Sequence, residues 1–341
     1  MRLVTFESGG RESYGALIDD ENLVDLPNGF AWHAADQGRS SGADAIAGAY
    51  GTTLLDIVRR ETFAMPVARE LERRARAKEL PDSFANRPLR RRLRDVTLRA
   101  PIPRPPSMRD GYAFRQHVAT ARKNRGLEMI PEFDEFPVFY FTNHQAVTGP
   151  GDVVVERLHT EQLDFELEAA IVIGLGGKNL RASEADRSIF GLTIMNDWSA
   201  RRLQMQEMKL SLGPAKGKDF ATSLGPWLVT IDELADRTNS GSRGASFDLA
   251  MTAEVNGKQV SKGNLKDMTF TFAQILERAS YGTMLYPGDV IGSGTVGTGC
   301  FLELNGSGIT NQWLAPGDEV VLEIERLGRL VNRIVLAPNA T

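Results

Sequence analysis

A single cysteine, Cys300, leaves no partner for an intrachain disulfide and too few thiolates for a cysteine-based zinc or iron–sulfur centre. That scarcity fits a reducing compartment. Histidine is also rare: there are four, and His33, His144 and His159 stand in no acidic context, so they read as surface or loop residues. Neither sign of charge dominates, with 40 basic against 44 acidic side chains, and a net charge of −4 argues against a general nucleic-acid binder. No segment approaches the ~18 consecutive apolar residues of a membrane span, and Met1–Glu7 lacks the apolar region of a secretory leader. A cytoplasmic location with no membrane partner is therefore expected. At 341 residues, 42% of them hydrophobic, the chain can build a core of ordinary size within one large domain and a smaller one.

What is present centres on Leu163–Gly174. It begins as a polar/apolar alternation and ends as the apolar run Ala169–Ile173. In a β-strand, residues two apart share a face, so Asp164, Glu166 and Glu168 point one way, with Glu166 and Glu168 roughly 6.5–7 Å apart and able to share one cation. An acidic strand face is ordinarily just solvated. Here the apolar run carries the strand into the interior, where carboxylates need a counter-charge or become protonated.

Along the chain, residues 2–6, 14–18 and 22–26 read as short antiparallel strands separated by Gly9-Gly10 and Asp19-Asp20. Residues 52–60 and 66–78 read as helices, the second with Pro66 in its first turn. The arginines between 73 and 94 have glutamates interspersed and no stacking aromatics, which suits a solvated face or an inter-domain contact rather than nucleic acid. Pro101, Pro103, Pro105 and Pro106 stiffen the chain and mark the expected boundary between a small N-terminal α+β domain (1–100) and a larger one (101–341). Beyond it, Pro-Gly-Asp at 150–152, 287–289 and 316–318 starts β-branched runs, and helices are expected at about 199–209 and 271–279. The class is mainly β (α+β), with a rolled mixed sheet as the larger domain.

Several segments carry chemistry. They are Asp110-Gly111-Tyr112 through Arg115-Gln116-His117; Asn196-Asp197-Trp198-Ser199-Ala200-Arg201, with Gln204 on the Arg201 face of the following helix; Gly217-Lys218-Asp219-Phe220-Ala221-Thr222; Ser293-Gly294-Thr295-Val296-Gly297; and Phe301-Leu302-Glu303-Leu304. In order, spacing and flanking residues they resemble the fumarylacetoacetate hydrolase family, over about residues 105–335. The resemblance implies that Asp110, Glu166, Glu168 and Asp197 ligate a divalent cation, with Lys218 and Thr222 against the same site. Oxygen donors of this kind suit Mg²⁺ first, then Ca²⁺ or Mn²⁺, rather than zinc. It implies His117 as the base that activates water, oriented by Glu303. In the shorter acylpyruvate hydrolases the partner glutamate lies one turn after the histidine, a position held here by Thr120. The implied activity is metal-dependent hydrolysis of a carbon–carbon bond in a small β-diketo acid, in the manner of fumarylacetoacetases. Lys218 and Gln204 would serve the oxyanion, and Tyr112, Tyr140, Arg201 and Thr295 would bind substrate. Arg122 and Arg125 are candidates for a further carboxylate contact, residues 118–136 for a mobile lid, and a homodimer is implied. Asp164 matches no ligand of the family and is expected to stand behind the ligands or to face solvent.

Two other readings compete. Gly292-x-Gly294-x-x-Gly297 has the form of a dinucleotide-binding turn, but Cys300–Gly306 reads as a strand where that motif requires a helix. A lyase or isomerase of the same family (oxaloacetate decarboxylase, hydratase or diene-dioate isomerase) would use the same carboxylates; the presence of both His117 and Glu303 favours hydrolysis.

Overall fold

The computed structural model describes residues 1–338. The chain opens with strands β1 (Arg2–Ser8), β2 (Arg11–Leu17) and β3 (Asn22–Asp25), antiparallel as the two turns between them suggest. Helix α1 (Leu26–Asp36) follows at once. Asp25 accepts the Asn28 amide as its N-cap, and Pro27 sits in the first turn. Pro27, Asn28 and Gly29 suit a turn equally well, which hides this helix from the sequence pattern. The helix expected at 52–60 is Leu54–Arg59, closed by a Thr53/Asp56 capping box. The next, α2 (Glu61–Arg76), begins five residues before Pro66, so the proline lies inside the helix and not in its first turn. Proline removes one backbone bond there, and the buried Ala64, Met65, Ala68 and Leu71 hold the turns on either side. The arginines pair locally, Arg74 with Glu70 and Asp36, and Arg91, on β4 (Arg90–Arg92), with Asp25.

Beyond the prolines come β5 (Met108–Gly111), α3 (Arg115–Lys123), β6 (Phe139–Phe141), β7 (Gly151–Val155), β8 (Leu167–Ile173) and β9 (Ile189–Asp197). Then follow α4 (Arg201–Met208), β10 (Thr222–Thr230), β11 (Ala250–Val255), β12 (Lys258–Asn264) and α5 (Phe272–Ser280). The chain continues through β13 (Val290–Gly292), α6 (Phe301–Gly306), β14 (Glu319–Ile324) and β15 (Gly328–Leu336). The fold is mixed α+β and strand-rich. A twelve-stranded sheet runs in the order β4-β3-β2-β1-β10-β9-β8-β13-β5-β6, with two short strands on its flanks, and a five-stranded sheet runs β7-β15-β14-β11-β12. The large sheet passes across the proline segment, since β1 pairs antiparallel with β10, Leu3 opposite Leu228. Among the described residues no helix is long and apolar enough to cross a membrane.

Strand β8 explains its own composition. Ala169, Ile171 and Ile173 pack into the core shared with the second sheet, while Ala170 and Val172 pack with Met1, Leu3 and the N-terminal helices. Both faces are covered, so a continuous apolar run is what such a strand needs. Met108, Met195 and Leu224 join Ala170 on the N-terminal side. By alternation Asp110, Asp197 and Glu168 continue that face beyond the end of the N-terminal core.

Two local expectations are corrected. The stretch from Leu163 is not one strand. Leu163–Asp164 pairs with Ser199–Ala200, and β8 starts only at Leu167. In between, the Phe165 amide is taken by the Asp164 carboxylate and the Glu166 amide by Asn196 Oδ1, so side chains replace the ladder. The run after Cys300 is a helix, α6, because its first two amides are bound by Asp164 from a distant segment. No local pattern carries that information.

Replacing the fully buried Ile171 by alanine is expected to cost about 2–5 kcal/mol of unfolding free energy, measured by urea denaturation. A loss below about 1 kcal/mol would contradict this packing of β8.

Candidate active site

Three strands deliver the carboxylates, with β13 between two of them. Asp110, next to last in β5, lies opposite Gly292 of β13, Glu168, second in β8, lies opposite Met195, Asp197 ends β9 opposite Thr222, and Glu166 precedes β8. All four acids are buried, and Asp110, Glu166 and Glu168 each place an oxygen within 4.8 Å of the others. Lys218 Nζ donates to Glu166 Oε2 at 2.5 Å and to Asp197 Oδ2 at 2.6 Å. The Tyr140 hydroxyl also donates to Asp197 Oδ2, Thr295 Oγ1 to Glu168 Oε1 at 3.2 Å, and the Gly294 amide to Asp110 Oδ1 at 3.2 Å. Glu168 Oε2 and Asp197 Oδ1 have no hydrogen-bond partner among the described residues.

The cluster holds more negative charge than Lys218 offsets. At an effective dielectric of about 20, unit charges ~4.8 Å apart repel by roughly 3.5 kcal/mol, on the order of 2.5 pKa units. Burial, the Asp197 charge and other neighbours push Asp110 up to about 8. Burial and the Asp110 and Glu166 charges drive Glu168 well above the carboxylate range, and burial raises Asp197 despite Lys218. Glu166 goes the other way: Lys218, Arg201 and His117 outweigh its burial and hold it down at about 2. Buried acids left with unpartnered oxygens and no nitrogen or sulfur donor suit a hard divalent cation. Gly292 keeps the space open, since a Cβ there would lie 2.4 Å from Asp110 Oδ1 and 3.0 Å from Glu168 Oε2. Sequence reasoning missed Gly292, because its need is set by side chains of two other strands.

Beside the acids lies a second pair. His117, on α3, sets Nδ1 2.7 Å from Glu303 Oε2, on α6, and both side chains are buried. The Tyr112 ring meets the imidazole edge-on, with centroids 5.8 Å apart. Cys300 is the neighbour of this pair; burial and the Asp164 carboxylate keep its thiol protonated, so it is no nucleophile.

The expected substrate contacts are placed unevenly. Tyr112 and Tyr140 border the two clusters. Arg201, however, is committed internally, with Nε on Asp164 Oδ2 at 2.8 Å, Nη2 on Glu166 Oε1 at 2.7 Å and Nη1 on Gln204 Oε1 at 3.0 Å. The Thr295 hydroxyl is likewise spent on Glu168, and Thr222 is buried beside Asp197 through the register. Arg122 and Arg125 fold back on the carbonyls of Glu128 and Ala121. Asp164 does not face solvent; it is wholly buried. Gly292–Gly297 does precede a helix, but the Phe301 and Leu302 amides that would meet a phosphate are occupied by Asp164. Within residues 118–136, Asp134 pairs with Arg115 and the buried Phe133 meets the Tyr112 ring edge-on.

Known proteins agree with this architecture. The family described as fumarylacetoacetate (FAA) hydrolase C-terminal matches residues 107–335. Oxaloacetate tautomerase YisK of Bacillus subtilis (strain 168) is 30% identical over 340 residues, covering 98% of this chain and 100% of that protein. Fumarylacetoacetase of Bos taurus is 35% identical over 268 residues, covering 62% and 64%. The solved fumarylacetoacetate hydrolase from Exiguobacterium antarcticum superposes with a TM-score of 0.68 at 25% identity, covering 99% of this chain and 100% of that one. With its carboxylates gathered by neighbouring strands of one sheet and this match over two thirds of its length, the chain belongs to the fumarylacetoacetate hydrolase family.

Proposed function

We infer that the protein is a divalent-cation-dependent hydrolase that cleaves a carbon–carbon bond of a small β-diketo acid, of the fumarylacetoacetate or acylpyruvate class. The observation that carries this is the buried His117–Glu303 contact of 2.7 Å next to a carboxylate cluster. Asp110, Glu166, Glu168 and Asp197 would hold the cation, Mg²⁺ first, and the unpartnered oxygens of Glu168 and Asp197 support that assignment. When bound, such an ion polarises the keto oxygens of a substrate.

The chain's own groups do the rest. Glu303 accepts the Nδ1 proton of His117, which leaves Nε2 free to take a proton from water. The resulting hydroxide adds to the carbonyl carbon, the carbon–carbon bond breaks, and its electron pair passes to the α-carbon as an enolate. His117 then returns the proton to that carbon. Lys218 limits the negative charge of the cluster through Glu166 and Asp197, and its ammonium is the donor available to a developing oxyanion.

A second reading needs no water. The same imidazole can carry a proton between oxygen and carbon of an oxaloacetate-like enol, and the full-length similarity to an oxaloacetate tautomerase supports it. Decarboxylation belongs to the same group of outcomes. A homodimer is also proposed. Strand β6 ends the large sheet, and its Phe141 is 65% exposed, which suits a covered edge; a monomeric mass in solution would contradict it.

Incubating the protein and Mg²⁺ with acylpyruvates, fumarylacetoacetate and the enol of oxaloacetate separates the readings. Release of two acids supports hydrolysis. Loss of the enol, or release of CO₂, with no diketone cleavage overturns it. In the variant His117→Ala, turnover is expected to fall by about 10²–10⁴ while Mg²⁺ binding persists; full activity would remove His117 from the mechanism. Gly292→Ala is expected to weaken Mg²⁺ at least about tenfold by calorimetry, because its methyl displaces two proposed ligands. The metal-free protein carries a further signature. Asp110 titrates at about 8 when folded against an ordinary 3.8. Between those values the folded form holds a proton that the unfolded chain has lost, so metal-free stability falls as pH rises through the window. Mg²⁺ must displace that proton; its affinity should climb from about pH 6 to 8 with proton release, read by calorimetry in buffers of different ionisation heat. A pH-independent affinity would count against Asp110 as a ligand.

A further inference from the structure

Asp164 shares the acidic motif of Glu166 and Glu168 but is spent differently. Its Oδ1 accepts the amides of Phe165 at 3.0 Å and Phe301 at 2.7 Å. Its Oδ2 accepts the Leu302 amide at 2.9 Å and Arg201 Nε at 2.8 Å. A carboxylate offers about four lone-pair directions, and four donors use them, so none remains for a cation. Glu168 and Asp197, by contrast, each keep an unpartnered oxygen.

The four donors come from both halves of the site. Phe301 and Leu302 open α6, whose own N-cap residue, Cys300, makes no side-chain cap. Asp164 caps this six-residue helix from 137 positions away, and the next residue, Glu303, holds His117. Through Arg201, whose Nη2 reaches Glu166 Oε1, the same carboxylate is tied to the cation side. Two short charge-assisted links therefore connect the imidazole's partner to a proposed ligand, with Asp164 as the one atom group common to both.

We propose that Asp164 is a positioning residue that sets where the His117–Glu303 pair sits relative to the carboxylate cluster. The proposal rests on the reading that this pair moves the proton in catalysis. Asp164 touches neither substrate nor cation and acts through Glu303 and Arg201. A merely structural cap would affect stability alone.

The test is Asp164→Asn, which keeps the volume and one acceptor but sets an NH₂ group against donors. Expected is a fall in kcat of about 10–100-fold with KM and Mg²⁺ affinity each within about threefold, as for partners that orient a catalytic group. In a double-mutant cycle with Glu303→Gln the losses should not multiply, because both act on the same imidazole. Wild-type kcat, losses that multiply, or a lowered Tm with kcat intact would each overturn the proposal. Should Asp164→Asn not fold, amide exchange in the wild type decides. Phe301 and Leu302 should be strongly protected, and exchange as fast as at an open turn overturns the cap. A wild type inactive on every substrate of the panel defeats the functional reading, while exchange still reports on Asp164 separately.

Discussion

The constraint on which the rest depends is the burial of Asp110, Glu166, Glu168 and Asp197 around one lysine. Burying a charge costs several kcal/mol unless it is paired, and replacing buried ion pairs by apolar groups is often neutral or stabilising. The cluster is therefore not a device for stability. Lys218 settles two of the acids, and Arg201 adds a second cation to Glu166. What is left, chiefly on Asp110 and Glu168, raises both carboxyls above the ordinary range and leaves a donor set whose chemistry suits a hard cation. Glu166 is the exception that shows the logic: with two cations on it, its carboxyl is the one of the four held below the ordinary range.

The sheet makes that arrangement possible. β5, β13, β8 and β9 are neighbours, so three acids on three strands and a glycine on the fourth meet by register alone. On the same face the N-terminal helices pack over Ala170, Val172, Met195 and Leu224, and over β1–β3 of the same sheet, then stop. The acids occupy the stretch the N-terminal core leaves uncovered. Pairing of β1 with β10 fixes that cover to the sheet by a backbone ladder, so the N-terminal segment and the site-bearing strands are held by one hydrogen-bonded frame.

What could be read from the chain follows the range of the forces involved. The apolar run Ala169–Ile173 and the acids around it are visible as a local pattern, while the ligand roles of Glu166, Glu168 and Asp197 are read from the family pattern. The Pro-Gly-Asp turns are visible locally too, as is the helix expected from about residue 271, which the structure closes with a Thr271/Gln274 capping box. The break at Phe165–Glu166 was hidden because the acceptor that replaces the ladder, Asn196 Oδ1, lies thirty residues away. Helix α6 was hidden for the same reason: its amides are satisfied by Asp164, and Phe301-Leu302-Glu303-Leu304 alternates like a strand. Gly292 reads in the sequence only as the first glycine of a dinucleotide-type turn, since its role is to have no side chain where two carboxylates from other segments converge. His117 and Glu303 were paired through the family pattern and not through spacing; 186 positions separate them.

The two parts of the site differ in how firmly they are held. Asp110, Glu168 and Asp197 ride on strands paired on both sides, where a one-residue slip would turn every buried side chain outward. His117 and Glu303 ride on helices of nine and six residues that contact the sheet through a few side chains. A small displacement of α6 would change the distance from Glu303 to the imidazole and leave the carboxylate cluster as it is. Such a division lets one cradle serve reactions that differ only in what the imidazole deprotonates, water for hydrolysis or carbon for tautomerisation. Relatives bearing both kinds of name on this fold are what that division leads one to expect. Under the proposed function, selectivity between the two chemistries belongs to the short helices and to the carboxylate that ties α6 to Arg201, while the strands keep the charge.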